Sequence, residues 1–148
     1  MNRVFVDASV LFPAAYSEKG AARELIQLGI REKVALLVSD LVLVETERNL
    51  TGKASGKLAA YQALIKTVDF IMVDEPTKAE VVAAYAYTPL KDAPIVAAAI
   101  KGNAEYLVTY DKKDLLNRPE VAEKSGLKIV SPDTVVALVN QEDEGENN

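Results

Sequence analysis

Cysteine and histidine are both absent from the 148-residue chain, and each absence removes a class of chemistry. Without cysteine there are no disulfides, thiolate metal sites or thiol nucleophiles, which agrees with a reducing compartment. Without histidine there is no Ser-His-Asp or Cys-His hydrolysis, no imidazole zinc site and no histidine general base. Long apolar runs are missing as well: the amino terminus offers only Arg3 and a three-residue apolar run before Asp7, far short of a signal peptide or a membrane span. The expectation is a cytoplasmic protein without a membrane segment. Its chemistry must rest on carboxylates, hydroxyls, lysine, arginine, tyrosine or a bound ion.

What is present fits an ordinary globular chain, with 49% hydrophobic and 26% charged residues. A chain of this length is most simply one domain, able to bury roughly 68 to 70% of its unfolded surface. Net charge is −5, but Glu142, Asp143, Glu144 and Glu146 crowd the end, so the remainder is close to neutral. Charge therefore neither suggests nor excludes a polyanionic partner. The expected organisation is a single domain over residues 1–140, followed by an acidic tail, 141–148, too poor in apolar side chains to pack and expected to be disordered.

Strand and helix patterns alternate along the chain. Val4-Phe5-Val6 is a continuous β-branched and aromatic run, suited to a strand buried on both faces. Helical patterns follow after Ser9, with Pro13 in an early turn, and over Ala21–Lys33. A strand is expected at Ala35–Val38, a helix started by Ser39 and Asp40 over Leu41–Leu50 with a buried apolar first turn, and another helix over Ala54–Val68. Then come a strand at Phe70–Val73, helices at Thr77–Tyr87 and Ala93–Ile100, a strand at Glu105–Thr109, a short helix at Asp111–Leu116, a strand at Lys128–Val130 and a helix at Asp133–Val139. No internal repeat is visible. The alternation predicts an α/β fold: three layers, α/β/α, around a parallel sheet of about five strands.

Four acids stand at strand ends or helix starts. Asp7 closes the first strand, where ligands of open parallel sheets bind near the point of strand-order reversal; it, or Ser9, could equally cap the next helix. Asp111 holds the same kind of place after Tyr106–Thr109, so both acids should face one sheet edge. Asp92 precedes Ala93-Pro94, which also suits a plain helix cap. Glu45 lies in a helix just past its apolar turn and is either solvated or held for a purpose. Asp114, three residues after Asp111, could complete a capping box or assist the site. Between Arg48 and Val68 stand Arg48, Lys53, Lys57 and Lys66 with no acid, a solvated face or a phosphate-contacting one. Converging carboxylates would raise each other's pKa, a penalty that a divalent cation removes. Magnesium and manganese take oxygen ligands, polarise phosphoryl oxygens and acidify water without any histidine.

Together the Val-Asp-Ala-Ser-Val-Leu stretch at 6–11, Glu45 in its helix, Lys91-Asp92-Ala93 opening an alanine-rich helix, and Leu107-Val108-Thr109-Tyr110-Asp111 resemble the PIN-domain ribonucleases, over Val4 to about Val139. The resemblance implies a metal-dependent single-strand endoribonuclease with Asp7, Glu45, Asp92 and Asp111 as its acidic cluster. It implies that Asp7, Asp92 and Asp111 bind Mg2+ or Mn2+, and that Ser9 and Thr109 support them. Tyr110 and Leu115 depart from the family's usual last motif, so the fourth acidic role could be shared between Asp111 and Asp114. Small single-domain members are similar to the toxins of VapBC-type toxin-antitoxin pairs, which implies a small antitoxin partner and a homodimer, with RNA as substrate.

Two other readings compete. A receiver-like, magnesium-dependent phosphorylation switch would need an acidic pair at the end of the first strand, where Asp7 stands alone. Asp74 could mimic its acceptor, but Ser131 and Pro132 follow the last strand where a lysine is wanted. An aspartyl phosphatase would want a second aspartate at the position of Ser9. The remaining alternative is a PIN fold used only for binding RNA or protein.

Overall fold

The computed structural model describes residues 1–147, with side-chain surroundings through 145. Five strands, β1 (Arg3–Val6), β2 (Ala35–Val38), β3 (Ile71–Met72), β4 (Tyr106–Val108) and β5 (Lys128–Val130), form one sheet in the order β3-β2-β1-β4-β5. Every pairing is parallel. Val4, Phe5 and Val6 are wholly buried, as are Leu37, Val38, Leu107 and Val108, because helices cover both faces of the three central strands. The edges are thinner: β3 has two residues, and both are exposed.

The helices are α1 (Ala8–Tyr16), α2 (Ala21–Ile30), α3 (Asp40–Lys53), α4 (Leu58–Thr67), α5 (Lys78–Tyr85), α6 (Ala93–Lys101), α7 (Pro119–Ser125) and α8 (Pro132–Asn147). A single tight turn, Ser55–Lys57, joins α3 to α4. Helix α6 buries Ala93, Ile95, Val96 and the Ala97-Ala98-Ala99 run; the small side chains let it lie close on the sheet. Among the described residues no helix is long and apolar enough to cross a membrane.

The order of strands bears directly on function. Strands step outward from β1 through β2 to β3 on one side, and from β4 to β5 on the other, so the reversal lies between β1 and β4. The receiver arrangement, 2-1-3-4-5, places its third strand beside the first. Here β3 sits beyond β2, and the phosphorylation-switch reading fails on topology.

Several elements differ from expectation. Helix α3 runs to Lys53, through Thr51-Gly52, since Ala54 closes it by donating to the Leu50 carbonyl. Its first turn is only partly covered: Val42 is buried, but Leu41 and Val44 are exposed. Helix α7 has no counterpart in the sequence reading, its seven residues carrying a single buried apolar side chain, Val121. The segment 141–147, expected to be disordered, continues α8. Val135, Val136 and Val139 anchor that helix in the core, and once nucleated a helix extends at one hydrogen bond per residue. Lys33 also meets Asp143 at 3.5 Å. Asn148 lies outside the described residues.

Candidate functional site

Asp7 stands at the carboxyl end of β1 and Asp111 just past that of β4, and the register Val6↔Val108 brings the two strand ends level. Asp7 is the N-cap of α1: one carboxylate oxygen, Oδ1, accepts from the Ala8 N–H at 2.8 Å. The other does something a plain cap does not require. Oδ2 accepts from Ser9 Oγ and from Thr109 Oγ1, both at 2.9 Å. Ser9 Oγ in turn accepts from the Tyr110 N–H, and Thr109 Oγ1 accepts from the Asp111 N–H, each at 3.0 Å. The two hydroxyls thereby tie the start of α1 to the loop after β4. Ser9 and Thr109 thus stand beside Asp7.

After β4 the chain makes a wide turn over Lys112–Leu116, in which Leu116 and Asn117 donate to the carbonyls five residues back, Asp111 and Lys112. Such π-type turns gather at functional sites. Asp111 Oδ1 accepts the Asp114 N–H at 3.1 Å, so the turn puts both acids on the same side. Asp92 closes the group from the start of α6. It sits at the helix entrance with proline behind it but forms no side-chain cap, so the plain-cap reading of this residue does not describe it. The residue is 9% exposed, and its Oδ2 is buried with no hydrogen-bond partner among the described residues.

Asp92, Asp111 and Asp114 each offer an oxygen within 4.8 Å of the others. An unpaired buried carboxylate oxygen is costly, and three hard oxygen donors converging beside it match the preference of Mg2+ or Mn2+. The donor set therefore fits a divalent cation. Asp7 is not one of the tight three, but its charge acts on both Asp92 and Glu45.

The electrostatics follow from burial first. Burial pushes the Asp92 carboxyl up to about 6; the nearby Lys91 charge opposes this, and the charges of Asp111, Asp114 and Asp7 add to it. Glu45 is also raised, by burial and then by Asp7, against the pull of Arg48 one turn on. Asp114 goes the other way, held below the ordinary carboxylate range by its hydrogen bond to Lys91. Like-charge repulsion, the cause anticipated from sequence, is thus secondary to desolvation.

Glu45 lies half-buried on α3, in the neighbourhood of Asp7 and Arg48. Arg48 and Lys53 are exposed on the same helix, and Lys57 is exposed on the turn that follows, with its Nζ 5.6 Å from the centre of the Tyr16 ring. Lys91 was legible only as part of a motif. Its Nζ lies 2.9 Å from Asp114 Oδ2 and 3.7 Å from Asp111 Oδ2. Its adjacency to Asp92 was the available signal, but the direction of a long exposed side chain is not encoded locally.

A PIN domain profile matches residues 3–113, and the chain belongs to the PIN domain family. The fold is similar to that of PAE2754 from Pyrobaculum aerophilum, at 21% identity and a TM-score of 0.65, covering 95% of this chain and 90% of that one. It is also similar to VapBC2 from Rickettsia felis bound to a DNA fragment from the promoter, at 16% identity and 0.59, covering 86% and 96%. A third similar structure is Mycobacterium tuberculosis VapC20, a toxin that cleaves the sarcin-ricin loop, at 20% identity and 0.52, covering 74% and 91%. No curated protein matches the sequence.

Proposed function

We propose that the protein is a magnesium- or manganese-dependent endoribonuclease acting on single-stranded RNA, the toxin of a toxin-antitoxin pair. The observation that carries this reading is the convergence of Asp92, Asp111 and Asp114 at the strand-reversal crevice, with Asp92 Oδ2 buried and unpartnered. Asp92, Asp111 and Asp114 would hold the cation, with Asp7 beside them. When bound, the ion supplies Lewis-acid polarisation of a phosphodiester and neutralises developing charge.

The chain's own residues do the rest. Ser9 and Thr109 hold the Asp7 carboxylate in one orientation by two hydroxyl donors, which is the preorganisation an electrostatic site needs. Glu45, whose carboxyl is raised by burial and then by the charge of Asp7, completes the acidic set beside Asp7 in this reading. Arg48, Lys53 and Lys57 offer cations to the RNA backbone. Cleavage by the VapC20 toxin, and the VapBC2 pair on promoter DNA, support a toxin role for this chain with a small antitoxin as partner; a homodimer and a cytoplasmic location belong to the same reading. Residues 1–140 form the nuclease domain in this proposal.

The test uses labelled single-stranded RNA with manganese, magnesium or chelator. Wild type should cut only with metal, and Asp7→Asn and Asp92→Asn should each lose at least about a hundredfold in rate, a few kcal/mol of transition-state stabilisation, while keeping the fold by circular dichroism. Metal-dependent cleavage that persists in both variants would overturn the assignment. RNA binding without cleavage in wild type would favour a PIN fold used only for binding.

A further inference from the structure

Lys91 meets the acidic group from outside. Its side chain is 67% exposed, whereas those of Asp114 and Asp111 are 12% and 22% exposed. The ammonium sits 2.9 Å from Asp114 Oδ2 and 3.7 Å from Asp111 Oδ2, on two of the three carboxylates that converge within 4.8 Å. Asp111 Oδ1 is already committed to the Asp114 N–H, so the lysine faces the oxygen that remains. Among the described residues no other cation forms an ion pair with these three acids. Lys113 and Arg118 act on Asp114 through charge alone, and Arg118 is bonded to Glu120 at 2.6 Å.

We infer that Lys91 is a tethered counter-ion of the acidic cluster, which a divalent cation must displace from Asp111 and Asp114, so that this residue sets the affinity of the site for its metal. The inference rests on the metal reading proposed above. Two cations cannot share these oxygens without repulsion, and the repulsion is less screened in a half-buried crevice than in bulk water. Lysine suits the exchange. It is a point charge on a flexible stem, without the planar fork that locks an arginine onto a carboxylate, and its exposed stem can swing into solvent. With metal scarce, the ammonium offsets part of the cluster's negative charge and lowers the cost of folding the site. With metal present, the lysine leaves and stands free at the rim.

The experiment titrates manganese into chelator-stripped wild type, Lys91→Gln and Lys91→Arg, reading calorimetric affinity and thermal melts rather than cleavage. Lys91→Gln should bind manganese about tenfold more tightly, equivalent to about 1.36 kcal/mol, while Lys91→Arg, which keeps the charge and can grip the carboxylates with its planar fork, should bind no more tightly than wild type. Lys91→Gln should also melt below wild type in chelator and level with it at saturating manganese, a closing of the gap that a purely structural defect, which metal would not repair, would not produce. Unchanged or weaker manganese binding by Lys91→Gln, with saturable binding in wild type, overturns the counter-ion role and leaves the metal reading standing. Equal tightening in Lys91→Arg overturns it too, because charge would not be the cause. Absence of saturable binding in all three proteins removes the metal reading itself and this inference with it.

Discussion

Asp92 is the residue on which charge, burial and chemistry meet, and its raised pKa has a definite sign for stability. A carboxyl whose pKa in the folded protein is about 6 binds its proton more tightly there than in the unfolded chain, where it titrates near 3.9. Stability rises with pH only where the unfolded state holds more protons, so the contribution of Asp92 falls between about pH 4 and pH 6 and stays low above that. The shift corresponds to at most about 3 kcal/mol. Glu45 acts in the same direction and Asp114 in the opposite one, so a difference experiment is needed. In chelator, Asp92→Asn should gain about 1 to 2 kcal/mol over wild type at pH 7 and nothing at pH 4, since the amide carries no charge but still buries a polar group. Denaturant unfolding at several pH values measures this. Parallel pH profiles for the two proteins would mean that Asp92 ionises without penalty.

At the scale of elements, the close seating of helices on the sheet depends on small side chains. Gly29 in α2 faces Leu36 of β2, and a Cβ built there would lie 2.8 Å from Leu36 Cγ, a side chain that is itself buried. Alanine is the better helix former by up to about 1 kcal/mol, but overpacking a filled interior costs about 1 to 3 kcal/mol. The second effect is larger. Gly29→Ala should lower Tm by roughly 2 to 6 °C, and a rise in Tm would show that Leu36 has room to turn aside. Helix α5 is held differently, by a capping box in which Thr77 Oγ1 accepts the Glu80 N–H and Glu80 accepts the Thr77 N–H. The pair was within reach of sequence reasoning because its spacing is local. The short helix α7 was not, since one buried valine in seven residues leaves no periodic signal.

For the molecule as a whole, the cations of α3 and the following turn extend beyond the acidic crevice and give the largest-scale prediction. In an Asp92→Asn background, which blocks cleavage under the proposed mechanism, Lys53→Glu with Lys57→Glu should weaken binding of single-stranded RNA. Two lost phosphate contacts should reduce the salt slope by about 1.4. Affinity and slope both at background values would make this stretch a solvated face. The sequence by itself determined the alternation of strands and helices, the burial of Val4-Phe5-Val6 on both faces, and the placing of Asp7 and Asp111 at one sheet edge, because these follow from periodicity and from the rule that parallel strands point the same way. Only the tertiary structure decided the strand order that excludes a receiver, the failure of Asp92 to cap its helix, the wide turn that brings Asp114 beside Asp111, and the reach of Lys91 to both. Each of these depends on distances between segments remote in the chain or on the direction of a side chain, and neither is carried by local pattern.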